Sequence, residues 1–410
     1  MTNRIPFYRR QLETNFFPYW EKAFDHECGG VYTCYDNGGG SRVSTDKYLW
    51  SQGRFLWLAS EMLVMVRAGL LSIDEAVLQD MADKTFRFIA EYGLTESDTV
   101  HFVTTAEGSP KATDGVTDYS IYADCFALIG FCGYARATGR RSAFALSNML
   151  LTSILRRIDS GAFQTEPYPI APPFASHSLQ MTLTYILTEC LTCQTAMGMT
   201  YDADIKKRLA ASIDNVLDNH WPDTIRDMQT QDEALHDTLL YRHFNPGHTI
   251  EYLWFLHDAE EVLLGGVPHL ERIGETLLRS VEKGWDSECG GLFRFVDWDG
   301  GRPKGILLGD RYEALIANTW DYKLWWPHSE LLYTALLLYK KTGDERFAAL
   351  YERADAYAFA TFPNPDEAVG EWIQIRDRRG CPIEKVIALP VKDPFHIMRN
   401  LLMAVKLEDL

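Results

Sequence analysis

Apolar residues recur at helical spacing from one end of this 410-residue chain to the other, and the periodic segments come in pairs. One member of each pair is predicted over roughly 47–69, 117–139, 177–197, 245–264, 321–342 and 391–407. The second members fall at about 73–93, 141–158, 202–219, 267–284 and 344–361, and residues 7–24 supply the twelfth helix. The pattern predicts six helical hairpins. Within a hairpin the connection is a tight stop-and-start signal, as in Gly139-Arg140-Arg141-Ser142 or Thr342-Gly343-Asp344-Glu345. Between hairpins the links are several times longer, and long links inside a compact domain usually carry function. If the helices alternate up and down, every long link gathers on one face with the N-termini of the first-member helices.

Those links contain an internal repeat. Phe24-Asp25-His26-Glu27-Cys28-Gly29-Gly30, followed by Asp36 and Gly39, is echoed by Trp285-Asp286-Ser287-Glu288-Cys289-Gly290-Gly291, followed by Asp297 and Gly300. A fainter copy runs Gly370-Glu371-Trp372, then Asp377 and Gly380. Each is expected to form a short β-hairpin walling the mouth of a site. The next helix then opens with a shared spacing: Lys47, Trp50 and Arg54 match Lys323, Trp326 and Glu330, and both match Lys392, Phe395 and Arg399. Residues at i, i+3 and i+7 share a helical face, so Arg54, Glu330 and Arg399 are expected to reach one cavity at one depth.

Composition narrows the function more than the fold. A net charge of −17 disfavours nucleic acid and anionic membrane as partners. No apolar run approaches the roughly 18 residues of a membrane span, and no signal-peptide pattern opens the chain, so a cytoplasmic protein is expected. Of eight cysteines, only Cys190 and Cys193 have C-x-x-C spacing; they lie in a helical pattern without a second pair, which predicts buried thiols. No metal-binding spacing and no phosphate loop is present, so neither a metal nor a dinucleotide cofactor is expected.

The chemistry crowds at the starts of the first-member helices. Trp50 and Arg54, Tyr119 and Tyr122, His177, His248 with Glu251 and Trp254, Trp326 with His328 and Glu330, and His396 with Arg399 all lie there. Aromatic rings beside hydrogen-bonding ions suit a sugar, and the chain is 13% aromatic with 11 tryptophans. His248 and His396 each follow a helix-start proline, Pro246 or Pro394, and each has an ion three residues on. Histidine takes and returns protons near neutrality, which makes these two the candidate acid/base pair.

Lys47-Tyr48-Leu49-Trp50-Ser51-Gln52-Gly53-Arg54, Asn245-Pro246-Gly247-His248 with Glu251, Lys323-Leu324-Trp325-Trp326-Pro327-His328-Ser329-Glu330, and Phe395-His396 with Arg399 together resemble the N-acylglucosamine 2-epimerase family, also called renin-binding proteins. The resemblance covers nearly the whole chain and implies one all-α, (α/α)6-barrel catalytic domain over residues 1–410. It implies a 2-epimerase that deprotonates and reprotonates C2 of an open-chain aldose, with His248 and His396 as the two bases, Arg54 at the oxyanion and Glu251 orienting a histidine. Trp50, Tyr119, Tyr122, His177, Trp254, Trp326, His328, Glu330 and Arg399 are the expected substrate contacts. No cofactor is implied; a nucleotide effector, known among some animal relatives, has no motif here, and a homodimer is left open. The expected substrate pair is N-acetylglucosamine and N-acetylmannosamine, with mannose/glucose epimerisation or aldose–ketose isomerisation as the alternative. The third first-member helix lacks the extra histidine of relatives that act on disaccharides or form ketoses, which favours a monosaccharide. Ala388-Leu389-Pro390-Val391 lacks the glycine and aromatic residues of many relatives, which bears on specificity at the mouth. Two other classes stay open: a glycoside hydrolase using Glu251 and Glu330, and a noncatalytic sugar- or protein-binding barrel.

Overall fold

In the computed structural model, which describes residues 3–170, 172–386 and 389–409, the predicted pairing holds from end to end. The N-terminal helix runs as α1 (Ile5–Gln11), a π-turn (Leu12–Phe16) and α2 (Phe17–Lys22). The hairpins that follow are α3 (Leu49–Arg67) with α4 (Glu75–Phe88), α5 (Ile121–Thr138) with α6 (Arg141–Ser160), and α7 (His177–Ala196) with α8 (Ala203–Asn215). After a short α9 (Leu239–Arg242) come α10 (Pro246–Leu264) with α11 (Leu270–Gly284). The extra α12 (Arg311–Thr319) precedes α13 (Trp325–Thr342) with α14 (Glu345–Thr361), and α15 (Phe395–Lys406) completes the set by packing on α1. Neither α9 nor α12 is marked by a hydrophobic pattern long enough to predict it; both sit in long links.

The first members form a closed ring. Helix α3 packs on α5, α5 on α7, α7 on α10, α10 on α13, α13 on α15, and α15 back on α3. Each also contacts its own hairpin partner outside. The inner helices are buried almost all round, whereas α4, α8 and α11 expose one polar face, as two concentric layers require. The ring is tightest between α3 and α5. A Cβ on Gly53 would lie 2.2 Å from the Phe126 carbonyl oxygen, and one on Gly130 would lie 2.5 Å from that of Gly53, so the backbones touch there. The tight turns behave as their sequences dictate: Gly343 ends α13 at φ 70°, and the Asp344 side chain accepts the Arg346 N–H to start α14. No helix of the described residues is long and apolar enough to cross a membrane.

The long links gather on the face that holds the inner N-termini and, among the described residues, pair with one another in four two-stranded antiparallel ladders. These join β1 (Lys47–Tyr48) to β2 (Val103–Thr104), β3 (Ala175–Ser176) to β4 (Met228–Gln229), β5 (His243–Phe244) to β6 (Val296–Asp297), and β7 (Lys323–Leu324) to β8 (Ile375–Arg376). The strands thus tie each link to the next instead of folding within one link. The Cys-Gly-Gly repeats are tighter than hairpins, closed by single bridges from Phe24 to Val31 and from Trp285 to Leu292. Paired glycines at positive φ, Gly29 and Gly30 or Gly290 and Gly291, make each reversal too sharp for a ladder. A lysine fills it instead: Lys47 Nζ donates to Asp25 Oδ2 and the Gly29 carbonyl, both at 2.7 Å, and Lys323 Nζ donates to Asp286 and the Gly291 carbonyl at 3.2 Å. The shared lysine is therefore a structural anchor.

Candidate active site

A cavity of about 220 Å³ opens between the inner N-termini. Helix α7 shows how the ring builds its wall: Ser178, Met181, Thr182 and Tyr185, at helical spacing, face inward. Trp50 and Arg54 come from α3, Tyr122 and Phe126 from α5, His248, Glu251 and Phe255 from α10, Trp325 and Trp326 from α13, and Phe395 and His396 from α15. The links add Asp227, Arg294, Tyr312, Gln374 and Asp393.

His248 is set by its helix start. Asn245 caps α10 through its side chain, which accepts the Gly247 and His248 N–H groups, and Pro246 occupies the first turn. Nδ1 of His248 lies 2.7 Å from Asp227 Oδ1, while Asp227 Oδ2 accepts the Asn245 N–H. Burial drives the Asp227 carboxyl upward, but the His248 hydrogen bond and charge prevail and hold it below the usual carboxylate range.

His396 has the corresponding arrangement with a different acid. Its Nδ1 is 2.8 Å from Glu330 Oε1 and 3.8 Å from Glu251 Oε1. Glu330 also accepts Trp254 Nε1 at 2.7 Å and Asn400 Nδ2 at 2.8 Å. Burial alone lowers the pKa of His396, yet the Glu330 bond and the Glu251 charge more than offset it, so the imidazolium is favoured. Glu330 is correspondingly held ionised, whereas burial and the Glu330 charge push Glu251 up. The indole of Trp326 lies beside both histidines, with its ring centre 5.5 Å from that of His248 and 5.3 Å from that of His396. With each Nδ1 held by a carboxylate, Nε2 is the ring nitrogen each histidine has left for a ligand. Arg54 Nη1 donates to Asp393 at 2.6 Å, and its guanidinium lies 4.0 Å from the Phe126 ring centre.

Of the residues singled out from the sequence, His248, His396, Arg54, Glu251, Trp50, Tyr122 and Trp326 meet on the wall. Six others do not reach it. Glu330, Trp254 and Arg399 lie beneath the floor, where the Arg399 guanidinium rests 3.3 Å from the Trp254 ring centre. His328 faces the outer layer: its Nε2 accepts the Leu292 N–H at 2.7 Å, its Nδ1 donates to the Leu324 carbonyl at 2.6 Å, and its ring stacks on Tyr357. His177 is wholly buried against His220 and Tyr252, one helical step away from the Ser178 face. Tyr119 precedes α5 and packs on Phe102. Of the segment before Lys392, Leu389 and Val391 line the cavity, and Ala388 lies outside the described residues. Lys392 itself is buried and anchors Asn37 and Trp372 carbonyls at 2.7 Å.

Asp227, Asp393, Arg294 and Tyr312, all on links, also line the wall without being expected there. Asp393 could have been found beside His396; Asp227 lies 21 residues before its histidine with no periodic signal. A metal also has more of a home than the spacing suggested, because ligand atoms of Glu251, Glu330 and His396 lie within 4.8 Å of one another. Glu330 there accepts hydrogen bonds from Trp254, His396 and Asn400.

Cys190 and Cys193 are buried free thiols, as the helical context predicted.

A double ring of helices, with two carboxylate-held imidazoles on the wall of one aromatic cavity, places the protein in the (α/α)6-barrel class. The chain belongs to the N-acylglucosamine 2-epimerase (GlcNAc 2-epimerase) family, whose match spans residues 29–399, and is an isomerase of that carbohydrate-epimerase type. It is 28% identical to mouse N-acylglucosamine 2-epimerase over 401 residues, 94% of this chain and 87% of the relative. It is 22% identical to the cellobiose 2-epimerase of Bacteroides fragilis, over 89% of this chain and 88% of the other. The solved structure of cellobiose 2-epimerase from Bacillus thermoamylovorans has the same fold, with a TM-score of 0.76 at 20% identity and full coverage of both chains.

Proposed function

We propose that this protein interconverts an N-acylated hexosamine with its C2 epimer, N-acetylglucosamine and N-acetylmannosamine being the expected pair. The observation that carries the reading is the twin arrangement of His248 with Asp227 and His396 with Glu330 on one cavity. Epimerisation requires a proton to leave one face of C2 and another to arrive at the opposite face. His396, favoured as imidazolium, is the acid in the resting enzyme, which leaves His248 as the base. After the sugar opens, His248 Nε2 takes the C2 proton and the bonding pair moves into an enolate on the C1 oxygen. Arg54 meets that developing charge. His396 then returns a proton to C2 from the other side, the ring closes, and exchange with water resets the two histidines. In the reverse direction the two roles exchange.

An N-acyl substrate also bears on the isomerase alternative. Aldose–ketose conversion needs a hydroxyl at C2 to become the new carbonyl, and an amide nitrogen there blocks that route. The whole-chain likeness to N-acylglucosamine 2-epimerases supports the amide-bearing substrate. A glycoside hydrolase built on Glu251 and Glu330 is disfavoured because Glu330 lies beneath Trp254 and does not line the cavity. Proton NMR in deuterium oxide tests the proposal with N-acetylmannosamine, mannose and cellobiose offered separately. Deuterium uptake at C2 with the epimeric amino sugar accumulating is the expected result. Ketose formed from mannose, with N-acetylmannosamine inert, would overturn it.

A further inference from the structure

The cavity wall carries two guanidinium groups, and they are treated differently. Arg54 has Asp393 at 2.6 Å. Arg294 is 4% exposed and, among the described residues, has no carboxylate within 4.0 Å. Its hydrogen bonds go to neutral hydroxyls, Thr319 Oγ1 at 2.9 Å from Nη1 and Tyr168 Oη at 3.4 Å from Nη2. A guanidinium has five N–H donors, so most of its capacity is unspent. Burial lowers the pKa of Arg294, and the groups that support its charge are phenols, Tyr168, Tyr312 and Tyr322, rather than acids. Buried lysines on the same face have their ammonium groups engaged, Lys47 on Asp25, Lys323 on Asp286 and Lys392 on the Asn37 and Trp372 carbonyls. An uncompensated buried charge is costly unless something pairs with it.

From this geometry we infer that Arg294, with the phenols of Tyr168 and Tyr312 beside it, is a subsite for an anionic group on the sugar, remote from C2. The inference rests on the C2-epimerase reading for where the rest of the sugar lies. Arg294 precedes β6 by two residues, and β6 pairs with β5, which runs directly into α10 and His248. That puts Arg294 on the mouth side of the histidines. A hexose with C2 between His248 and His396 would therefore extend its C6 end toward Arg294. The nearby carboxylates are already engaged, Asp227 by His248 and Asp393 by Arg54, so they do not supply the missing charge. A 6-phosphate and a 6-carboxylate share the required chemistry, and in a chain of net charge −17 either depends on this local cation for entry.

The test separates binding from turnover. Calorimetry with glucitol, glucitol 6-phosphate and L-gulonate (glucuronate reduced at C1, which keeps the 6-carboxylate), none of which can be epimerised as an aldose, measures the anion preference alone. C2 exchange of N-acetylmannosamine and its 6-phosphate, and of mannuronate, measures it in turnover. The intact enzyme should favour one anionic partner over its neutral counterpart by about tenfold or more in affinity and in kcat/KM. R294M should bring that ratio close to one, and R294K, which keeps the charge, should restore part of it. Whichever of phosphate and carboxylate shows the larger ratio identifies the source of the charge. Equal handling of neutral and anionic ligands by the intact enzyme, or a ratio unmoved by R294M, overturns the inference. If no sugar exchanges at C2 but glucitol 6-phosphate or L-gulonate still binds through Arg294, the epimerase reading fails and the anion subsite stands.

Discussion

Nδ1 of His396 lies 2.8 Å from Oε1 of Glu330, a residue that never reaches the cavity. The acid that sets the charge of this histidine therefore sits one layer below the chemistry, under Trp254, while Glu251 on the wall stands off at 3.8 Å. In the proposed mechanism this lets His396 keep its imidazolium while Glu330 itself stays off the substrate.

Replacing Glu330 by Gln keeps an acceptor for Trp254 but removes the charge that favours the His396 imidazolium. The His396 pKa is raised in the native enzyme, so the acid form survives to higher pH than an isolated histidine would allow. Losing Glu330 lowers that pKa, and the alkaline limb of kcat/KM should move to lower pH. The kcat should fall on the order of 10²-fold, the lower range for a positioned acid/base group. A pH profile of C2 exchange decides the matter: an unmoved alkaline limb in E330Q sinks this role.

How far the site was legible in the sequence follows from what periodicity encodes. The spacing of apolar positions gave the angle of each residue about its helix, so the hairpins, the inner ring and the converging N-termini were all readable. Periodicity does not say how deep the cavity floor lies. Arg399 is three residues beyond His396, a rise of about 4.5 Å along the helix, and that step carries it under Trp254. His328 and His177 failed for a different reason: each is near a helix start but turned to the outer layer, where Leu292 and His220 meet them. Asp227 was invisible because a link without repeating pattern gives no register to the helix that it serves.

His328 also has a consequence for stability. Both ring nitrogens are committed in the neutral form, and burial pushes its pKa down to about 3. In the unfolded chain a histidine titrates near 6.5. Between those values the unfolded state binds the proton and the native state does not, so stability is lost as pH falls. By pH 5 this single group should have cost about 2 kcal/mol relative to pH 8. Glu371 and Asp124, each raised to about 7 mainly by burial, work the opposite way, since their folded forms protonate first on acidification. Relative to the native chain, H328N should be less stable in urea at pH 8, and the gap between the two should narrow by about 2 kcal/mol by pH 5. Parallel stability curves from pH 8 to 5 count against it.

Lys47 and Asp25 predict a fold effect at the mouth. The ammonium is fully buried and bonded to Asp25, the Gly29 carbonyl and the Ala106 carbonyl, so it joins the first Cys-Gly-Gly turn to the link before α5. D25N leaves a buried cation without its counterion and should cost about 3–5 kcal/mol in denaturant unfolding. Removing both charges, in D25N combined with K47M, should cost less than the sum of the two single changes. Strict additivity would mean that the pair is not what holds the turn.

Gly247, the residue before His248, packs directly against Trp326. A Cβ there would lie 2.4 Å from Cη2 and 2.6 Å from Cζ3 of Trp326, the indole that flanks both histidines. Alanine ordinarily favours a helix over glycine by about 1 kcal/mol, so G247A should not unfold α10. Its cost should fall on catalysis, because the ring has to move and takes with it the surface on which both imidazoles are aligned. A misplacement of this kind should lower kcat about tenfold or more. The route of the effect can be checked with W326F, whose smaller ring removes the two overlapping atoms. If the loss runs through Trp326, adding G247A to W326F should lower kcat far less than adding it to the native enzyme. An equal factor in both backgrounds would show that Gly247 acts through its own backbone, on the Asn245 cap and the first turn that carries His248.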